Sequence, residues 1–497
     1  MKRYLILFTI IFLVPFFNQA QDMVDALRYS QLQFEGTARS GAMGNAFGAL
    51  GGDFTSVTIN PAGIGLYRSG EFAVTPKSSQ INVESSYWNR NVDESNYKFT
   101  LSNISYVSTL NTKNTSEVGL VSISFGLGYN RLKDFNGGSV MVGDEINGSY
   151  LDYFADNANA GIFSDYYEEL ALNTSLIFFD EDYNQYMHDM RYDGYGQYQR
   201  KTLFTNGSID EYSFTVGFNL NHKIYFGASV GINDVYYNEN SQILEKDVND
   251  NVYYFNEFTF NSYLKTHGYG HNFKFGVIYK PINEIRLGVS VHTPTYYKLH
   301  DLFETSMHSD LDLEDGPYTY DEYSPTNNYD YRLTTPLRAN LSAAFVIAKK
   351  GLISVDYEYL DYGEAKLSRG GDGYGFYDEN MDIQEAYKSG GTLRVGGEFL
   401  LTNAISLRGG YELHESAYNS NAFGASQPNS DLDMNVYSAG FGYKFRYFFL
   451  DFAYRYYSTD RYDFPYPMPV SEEYPAPQMA SQKIIKNNLL FTFGYKF

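Results

Sequence analysis

The 497-residue chain has no cysteine and a single tryptophan. The first absence excludes disulfides, thiolate metal sites and a lipidated N-terminal cysteine anchor. Long apolar runs are missing too: past the N-terminus no stretch approaches the ~20 residues that a membrane-spanning helix needs. The N-terminal run Tyr4 to Phe17 follows Lys2 and Arg3 and leads into Asn18, Gln19, Ala20 and Gln21. It reads as a secretory signal over 1–20, with Asn18 leaving the cut itself undefined. Basic charge is scarce. Against 59 Asp and Glu stand 37 Lys and Arg, a net charge of -22 that argues against nucleic acid as a partner. There is no HExxH, GxSxG, GxGxxG or P-loop, and the eight histidines are scattered, so no catalytic residue, metal site or cofactor is expected. His267 and His271 come nearest to a pair, but four residues along a strand separate them by about 13 Å. The acidic stretch 293–336 lacks the spacing of a calcium loop and reads as solvated surface.

What the chain has is aromatic side chains in alternation. Fifty Tyr and 38 Phe stand in a chain whose mean hydropathy is only -0.39, a balance that fits sheets and interface belts better than apolar helices. From about Gly70 onward, segments of some ten residues put apolar side chains at every second position. Val121, Ile123, Phe125, Leu127 and Tyr129 form one such series; Tyr212, Phe214, Val216, Phe218 and Leu220 another. The series Leu489, Phe491, Phe493, Tyr495 and Phe497 resembles the C-terminal signal by which outer-membrane barrels are recognised for assembly. Short connections alternate with long ones at 131–209, 293–336, 361–389, 414–433 and 458–486, as periplasmic turns alternate with extracellular loops. The long-short rule merges the segments at 252–266 and 270–280 into one strand, with a bulge near Gly268 or Gly270 accounting for a phase shift in its apolar residues. The count is then fourteen, giving an all-β transmembrane antiparallel barrel.

The faces between the apolar positions become ionic late in the chain: Asp356, Glu358, Arg394, Glu398, Arg408, Glu412, Asp451 and Arg455. Facing lipid, each base would cost up to about 2–4 kcal/mol near the midplane, so these residues are expected to line the lumen and pair there. The insertion 131–209 is rich in Tyr and Phe, carries short helices such as one at 165–172, and reads as a cover over the barrel mouth.

Ahead of the ladder lies a different stretch, 36–65, dense in Gly and Ala and studded with Met43, Phe47, Leu50, Phe54, Val57 and Ile59. Such a composition suits a chain folded tightly in a confined space rather than a flexible linker. Its SGAMGNAFGALGGD at 40–53, followed by Asn60, Pro61, Ala62 and Gly63, resembles the N-terminal hatch of the FadL/TodX family of outer-membrane transporters for long-chain fatty acids and other hydrophobic compounds. The resemblance is close over 26–65 and architectural beyond. It implies a fourteen-stranded barrel with a hatch in its lumen, passive diffusion of apolar substrates, no cofactor, and a role for Asn60, Pro61, Ala62 and Gly63 in shaping the exit. The expected organisation is a signal at 1–20, a hatch at 21–68 and the barrel at 69–497. The expected function is passive passage of hydrophobic molecules across the outer membrane by a monomer, its partners being those molecules, outer-membrane lipid and the barrel assembly machinery. A surface-binding barrel that transports nothing and a barrel-borne enzyme acting on lipid remain the alternatives.

Overall fold

A computed structural model of the chain describes residues 22–112, 119–348, 350–424, 427–469, 471 and 473–497; the expected signal at 1–20 lies outside them. Fourteen strands form the wall: β1 (Glu71–Tyr87), β2 (Arg90–Asn111), β3 (Leu120–Asp134), β4 (Tyr198–Leu220), β5 (Ile224–Lys246), β6 (Phe255–Ile282), β7 (Ile285–His292), β8 (Arg338–Ile347), β9 (Gly351–Asp361), β10 (Ser389–Leu400), β11 (Ile405–His414), β12 (Met434–Phe445), β13 (Phe448–Asp463) and β14 (Ala480–Lys496). Each pairs antiparallel with the next, and β14 returns to β1 through Glu71↔Lys496 to Ser86↔Ser481. Pairing of β14 with β1 closes the ladder on itself, as lipid requires, since an unpaired backbone group there would be costly. An even count puts both ends of the ladder at one rim.

Alternation assigns the two faces. Phe125, Leu127, Phe214, Phe275, Leu341 and Phe491 are exposed on the outer face, while Ser124, Thr215, Asn340 and Thr492 are buried on the inner one. No helix of the described residues is long and apolar enough to cross a membrane. The strands themselves do so.

The wall is not of even height. β4 and β5 have 23 residues each and β6 has 28, against 10 in β11. The connection 293–336 continues this raised sheet as Tyr296–Leu313, Gly316–Tyr323 and Asn327–Thr334. No bulge interrupts β6 near Gly268 or Gly270: its register with β5 is unbroken from Ile224↔Tyr279 to Lys246↔Glu257. The apolar residues change face instead. In the membrane the outward Phe273, Phe275 and Tyr279 meet lipid, whereas higher up the inward Phe258 and Phe260 pack under the long insertion. That insertion supplies helices at Tyr150–Asn159 and Glu168–Asn173, and its Phe154, Leu170 and Ile177 join the same cluster. The pairing slips elsewhere, between β1 and β2 at Thr75/Pro76, where Ser102 is the extra residue.

Candidate functional site in the lumen

Residues 22–70 occupy the barrel's interior as a series of short capped turns. A helix at Met23–Ser30 is capped by Asp22, whose carboxylate accepts from the Val24 and Asp25 amides. Thr37 caps the turn Ala38–Ala42, Asp53 caps Phe54–Thr58, and Asn60 caps Pro61–Leu66, with Pro61 at the first position where its missing N–H costs nothing. The small residues expected to fit a tight space do so: Ala42, Ala46, Ala49 and Ala62 are fully buried.

Wall glycines receive this segment. A Cβ on Gly276 of β6 would overlap Asn60 Oδ1, one on Gly227 of β5 would overlap the Pro61 backbone, and one on Gly396 of β10 would overlap Met43 O. Glycine on an inward strand position thus marks where another backbone touches the sheet. Asn60 is the central fastener: its Nδ2 donates to Gly48 O (2.8 Å) and to the wall carbonyl of Val277 (3.2 Å), while Oδ1 accepts from Ala62 N (3.1 Å). Beside it Ser290 Oγ and His292 Nε2 lie 2.5 and 2.8 Å from Ile59 O, and Gly63 O accepts from Gly52 N. Asn60, Pro61, Ala62 and Gly63 therefore lie together against β5, β6 and β7.

The eight anticipated lumenal charges all lie buried on the inner face. Near the periplasmic ends of their strands, Arg408 bridges Glu398 (2.7 Å) and Asp451 (2.5 Å), and Arg39 of the inner segment grips Glu398 with two bonds of 3.1 Å. Asp356 accepts from the Gly48 amide (2.7 Å). Higher up, Glu358 joins Arg338 (2.8 Å) and Arg394 (3.4 Å), while Arg455 bonds Glu412 and Glu35.

Glu35, Arg39, Lys77, Asp134 and Arg338 complete these clusters and were not anticipated. Glu35, in the inner segment, accepts from Arg455 Nη1 (2.7 Å), the Tyr457 hydroxyl (2.7 Å) and the Asn488 amide, with Lys486 and Lys77 at 3.8 and 4.0 Å. Burial alone would push its carboxyl up, but Arg455, Lys77 and Lys486 together hold it below the ordinary glutamate range. Lys77 in turn bonds Asp134 at 2.9 Å.

Above this layer is a cavity of about 480 Å³. Leu27, Ile81, Val83, Phe135 and Ile484 form apolar parts of its wall, and Lys133 and Lys486 line it together with Arg28, Asp134, Glu239 and Asp460. Lys133 Nζ donates to Arg28 O (2.9 Å) and faces no carboxylate within ion-pair reach among the described residues. The cavity extends to Asn136, Gly137 and Gly138, which lie at a seam in the wall. β2 and β3 pair only from Asn103↔Asn130 to Asn111↔Ser122. Beyond Asn130 the chain leaves β2 and continues along β4, through Gly137↔Thr205 to Gly143↔Gln199, so that β2 from Arg90 to Ser102 is bonded on the β1 side alone. Phe99 and Tyr97 stand exposed beside this seam.

Comparison with known proteins gives a consistent result. The family model described as "Outer membrane protein transport protein (OMPP1/FadL/TodX)" matches residues 205–483, more than half of the chain. The crystal structure of a Pseudomonas aeruginosa FadL homologue is similar, with a TM-score of 0.56 at 12% identity over 94% of this chain and 99% of that one. So is that of the P. putida toluene transporter TodX, with a TM-score of 0.53 at 13% identity over 94% and 99%. Among curated proteins none matches the chain.

Proposed function

Since the chain belongs to the FadL/TodX family and is an outer-membrane transporter of hydrophobic compounds rather than an enzyme, we propose that its cargo is an amphipathic acid of the long-chain fatty acid type and that it leaves sideways through the wall. The observation that carries this reading is the cavity above the inner segment, with apolar side chains on part of its wall, Lys133 and Lys486 among charged residues of both signs, and a reach to the seam between β2 and β3. Ten methylenes buried there supply about 8 kcal/mol before association and ordering costs. The ammonium groups add a place for a carboxylate head. An acyl chain has no reason to pass through the charged layer below, where every pair would need to be broken, and a short lateral path into the bilayer keeps it out of water.

In this scheme residues 1–20 are removed on export, 21–68 act as the hatch and 69–497 form the wall. Asn60, Pro61, Ala62 and Gly63 fix the hatch, and the lumenal charges from Asp356 to Arg455 hold it in register. The protein works as a monomer, in contact with outer-membrane lipid, and is delivered to the membrane by the barrel assembly machinery through β14. Uptake of labelled oleate and of toluene by cells with and without the protein is the test. Oleate uptake that depends on the protein and falls several-fold in Lys133→Met/Lys486→Met, with toluene uptake unaffected by that change, supports the reading. Equal oleate uptake with and without the protein overturns it.

A further inference from the structure

The outer surface of the raised sheet carries an arrangement that transport does not use. On β6 the outward residues Tyr279, Phe275, Phe273 and Tyr269 are exposed, with His271 between the last two. At ~3.4 Å per residue this series covers about 34 Å along a tilted strand, close to the height of a barrel's apolar band. Where the band stops, the strand on one side turns basic, while β5 on the other side places Asp234 opposite Tyr269. Lys298 lies opposite Tyr269 on one side and opposite Arg332 on the other, and Lys366, opposite Thr334, is the diagonal neighbour of Arg332. All three are exposed, and none has an ion-pair partner among the described residues. The Lys298 ammonium stands 5.6 Å from the centre of the Tyr269 ring.

Like charges directly opposite each other weaken a sheet unless an anion sits between them. Of the nearby acids, Asp330 is bonded to His300 Nδ1 at 2.7 Å and Asp234 stands one strand further away, beyond Tyr269. One step higher His267 and His300 face each other across the strands, with Lys265 above them.

Above Lys265 the surface changes again. A groove of about 470 Å³ is lined by Asn240, Gln242, Asn261 and Ser306, the rings of Tyr263 and Tyr323, and one acid, Glu304. Gln242 donates to Asn261 (2.9 Å) and Asn261 to Ser306 (3.2 Å), an ordered row of neutral donors and acceptors between aromatic rings. Neutral amides and hydroxyls with ring faces are what a sugar needs. The groove begins about 20 Å along the strand from Tyr269.

We infer that this outer face binds a phosphorylated glycolipid of the outer leaflet. Its acyl chains lie on the apolar band, its phosphates meet Lys298, Arg332 and Lys366, and its sugars lie in the groove at Asn261 and Tyr263. The three layers occur in the order that such a molecule presents them, and each has the chemistry its layer requires.

The test is native mass spectrometry of the folded full chain in detergent, with bisphosphorylated lipid A, the same lipid without its phosphates, lipid A extended by core sugars, and phosphatidylglycerol as probes. Lys298→Gln/Arg332→Gln/Lys366→Gln is expected to weaken lipid A binding roughly 100-fold, about fivefold per cation. Asn261→Ala/Tyr263→Ala is expected to remove only the added affinity of the sugar-extended lipid. Resistance of the barrel to unfolding in detergent at room temperature shows that each variant is folded, which surface changes of this kind should not disturb. Displacement of lipid A by millimolar inorganic pyrophosphate would assign the cations to free phosphate rather than lipid and overturn the inference. So would a charge variant that binds lipid A as well as the parent, or equal binding of the phosphate-free lipid or of phosphatidylglycerol.

Discussion

Replacing Glu35 by Gln tests whether the inner segment is held by charge. The carboxylate lies in the lumen under Arg455, Tyr457 and Asn488, with Lys77 and Lys486 close by. The amide side chain would keep the shape while losing the charge and one acceptor. Arg455 would keep Glu412 and Lys77 would keep Asp134, so the wall side of the cluster remains paired. What is lost is the attraction between segment and wall. Hydrogen bonds to a charged group are worth about 1.5–3 kcal/mol each, and breaking a buried pair costs about 3–5 kcal/mol. A net loss of ~3 kcal/mol is therefore expected, or about two orders of magnitude in the population of the released segment. Hydrogen exchange measured by mass spectrometry over residues 31–42 should show protection falling about 100-fold, while protection in β12 and β13 stays unchanged. Planar-bilayer recordings should show brief openings absent from the parent. Unchanged protection over 31–42 would refute the claim that charge, rather than close packing of small residues, retains the segment.

Three further outcomes follow from the same geometry. Gly276→Leu places a side chain where Asn60 and Pro61 sit, so the segment cannot seat, and proteoliposomes should leak small polar solutes while the barrel still resists detergent unfolding. Asn96→Cys/Gly138→Cys/Phe204→Ala spans the seam, because Asn96 Nδ2 lies 3.0 Å from where a Gly138 Cβ would stand and removal of the Phe204 ring, 2.5 Å from the same point, makes room; in this cysteine-free chain oxidation should stop oleate uptake and reduction restore it. The Glu35 carboxyl sits below its usual range, so its stabilising effect is complete above about pH 4.3 and is lost as pH falls through the lowered value. Exchange protection over 31–42 should accordingly be flat from pH 7 to about 4.5 and drop below that in the parent, with a smaller drop in Glu35→Gln.

Period-two alternation was readable wherever one face met lipid, which is why β4, β9, β13 and β14 could be read directly and the strand count came out at fourteen. It misled where the environment changed along one strand. In β6 the apolar side moves from outside to inside at the top of the membrane band, and a phase shift in the sequence resembled a bulge that the register does not contain. The slip at Ser102, one of several in the wall, left little trace because β2 is rich in Ser, Thr and Asn and its lumenal Ser102 hydroxyl serves Gly36 O. The interior charges were legible as a face but not as partners, since half of the partners belong to residues 35–48, whose sequence shows small residues far more plainly than charge. The inward glycines were a usable signal. Gly217, Gly227 and Gly276 stand opposite one another at inner positions of β4, β5 and β6, and glycine repeated at such positions points to a backbone seated against the wall.

The sorting of the lumen by chemistry bears on how such a barrel stays closed yet passes grease. If the buried cluster of Phe34, Met43, Phe47 and Ile59 with the wall were all that seated the segment, an incoming acyl chain would compete for the same surface and loosen it non-selectively. Arg39 on Glu398, Glu35 on Arg455 and Gly48 on Asp356 remove that competition, because a hydrocarbon offers nothing to a buried ion pair and would leave its members unpaired. The carboxylate end of an amphipathic acid is different, since it can approach Lys486, which also stands 3.8 Å from Glu35. Cargo with an anionic head can thus weaken one arm of the clamp from above, whereas neutral cargo cannot. Parent and Glu35→Gln protein should then differ in one respect: oleate should reduce exchange protection over 31–42 in the parent but not in the variant, and toluene in neither. Equal loss with oleate and toluene would show that occupancy alone loosens the segment.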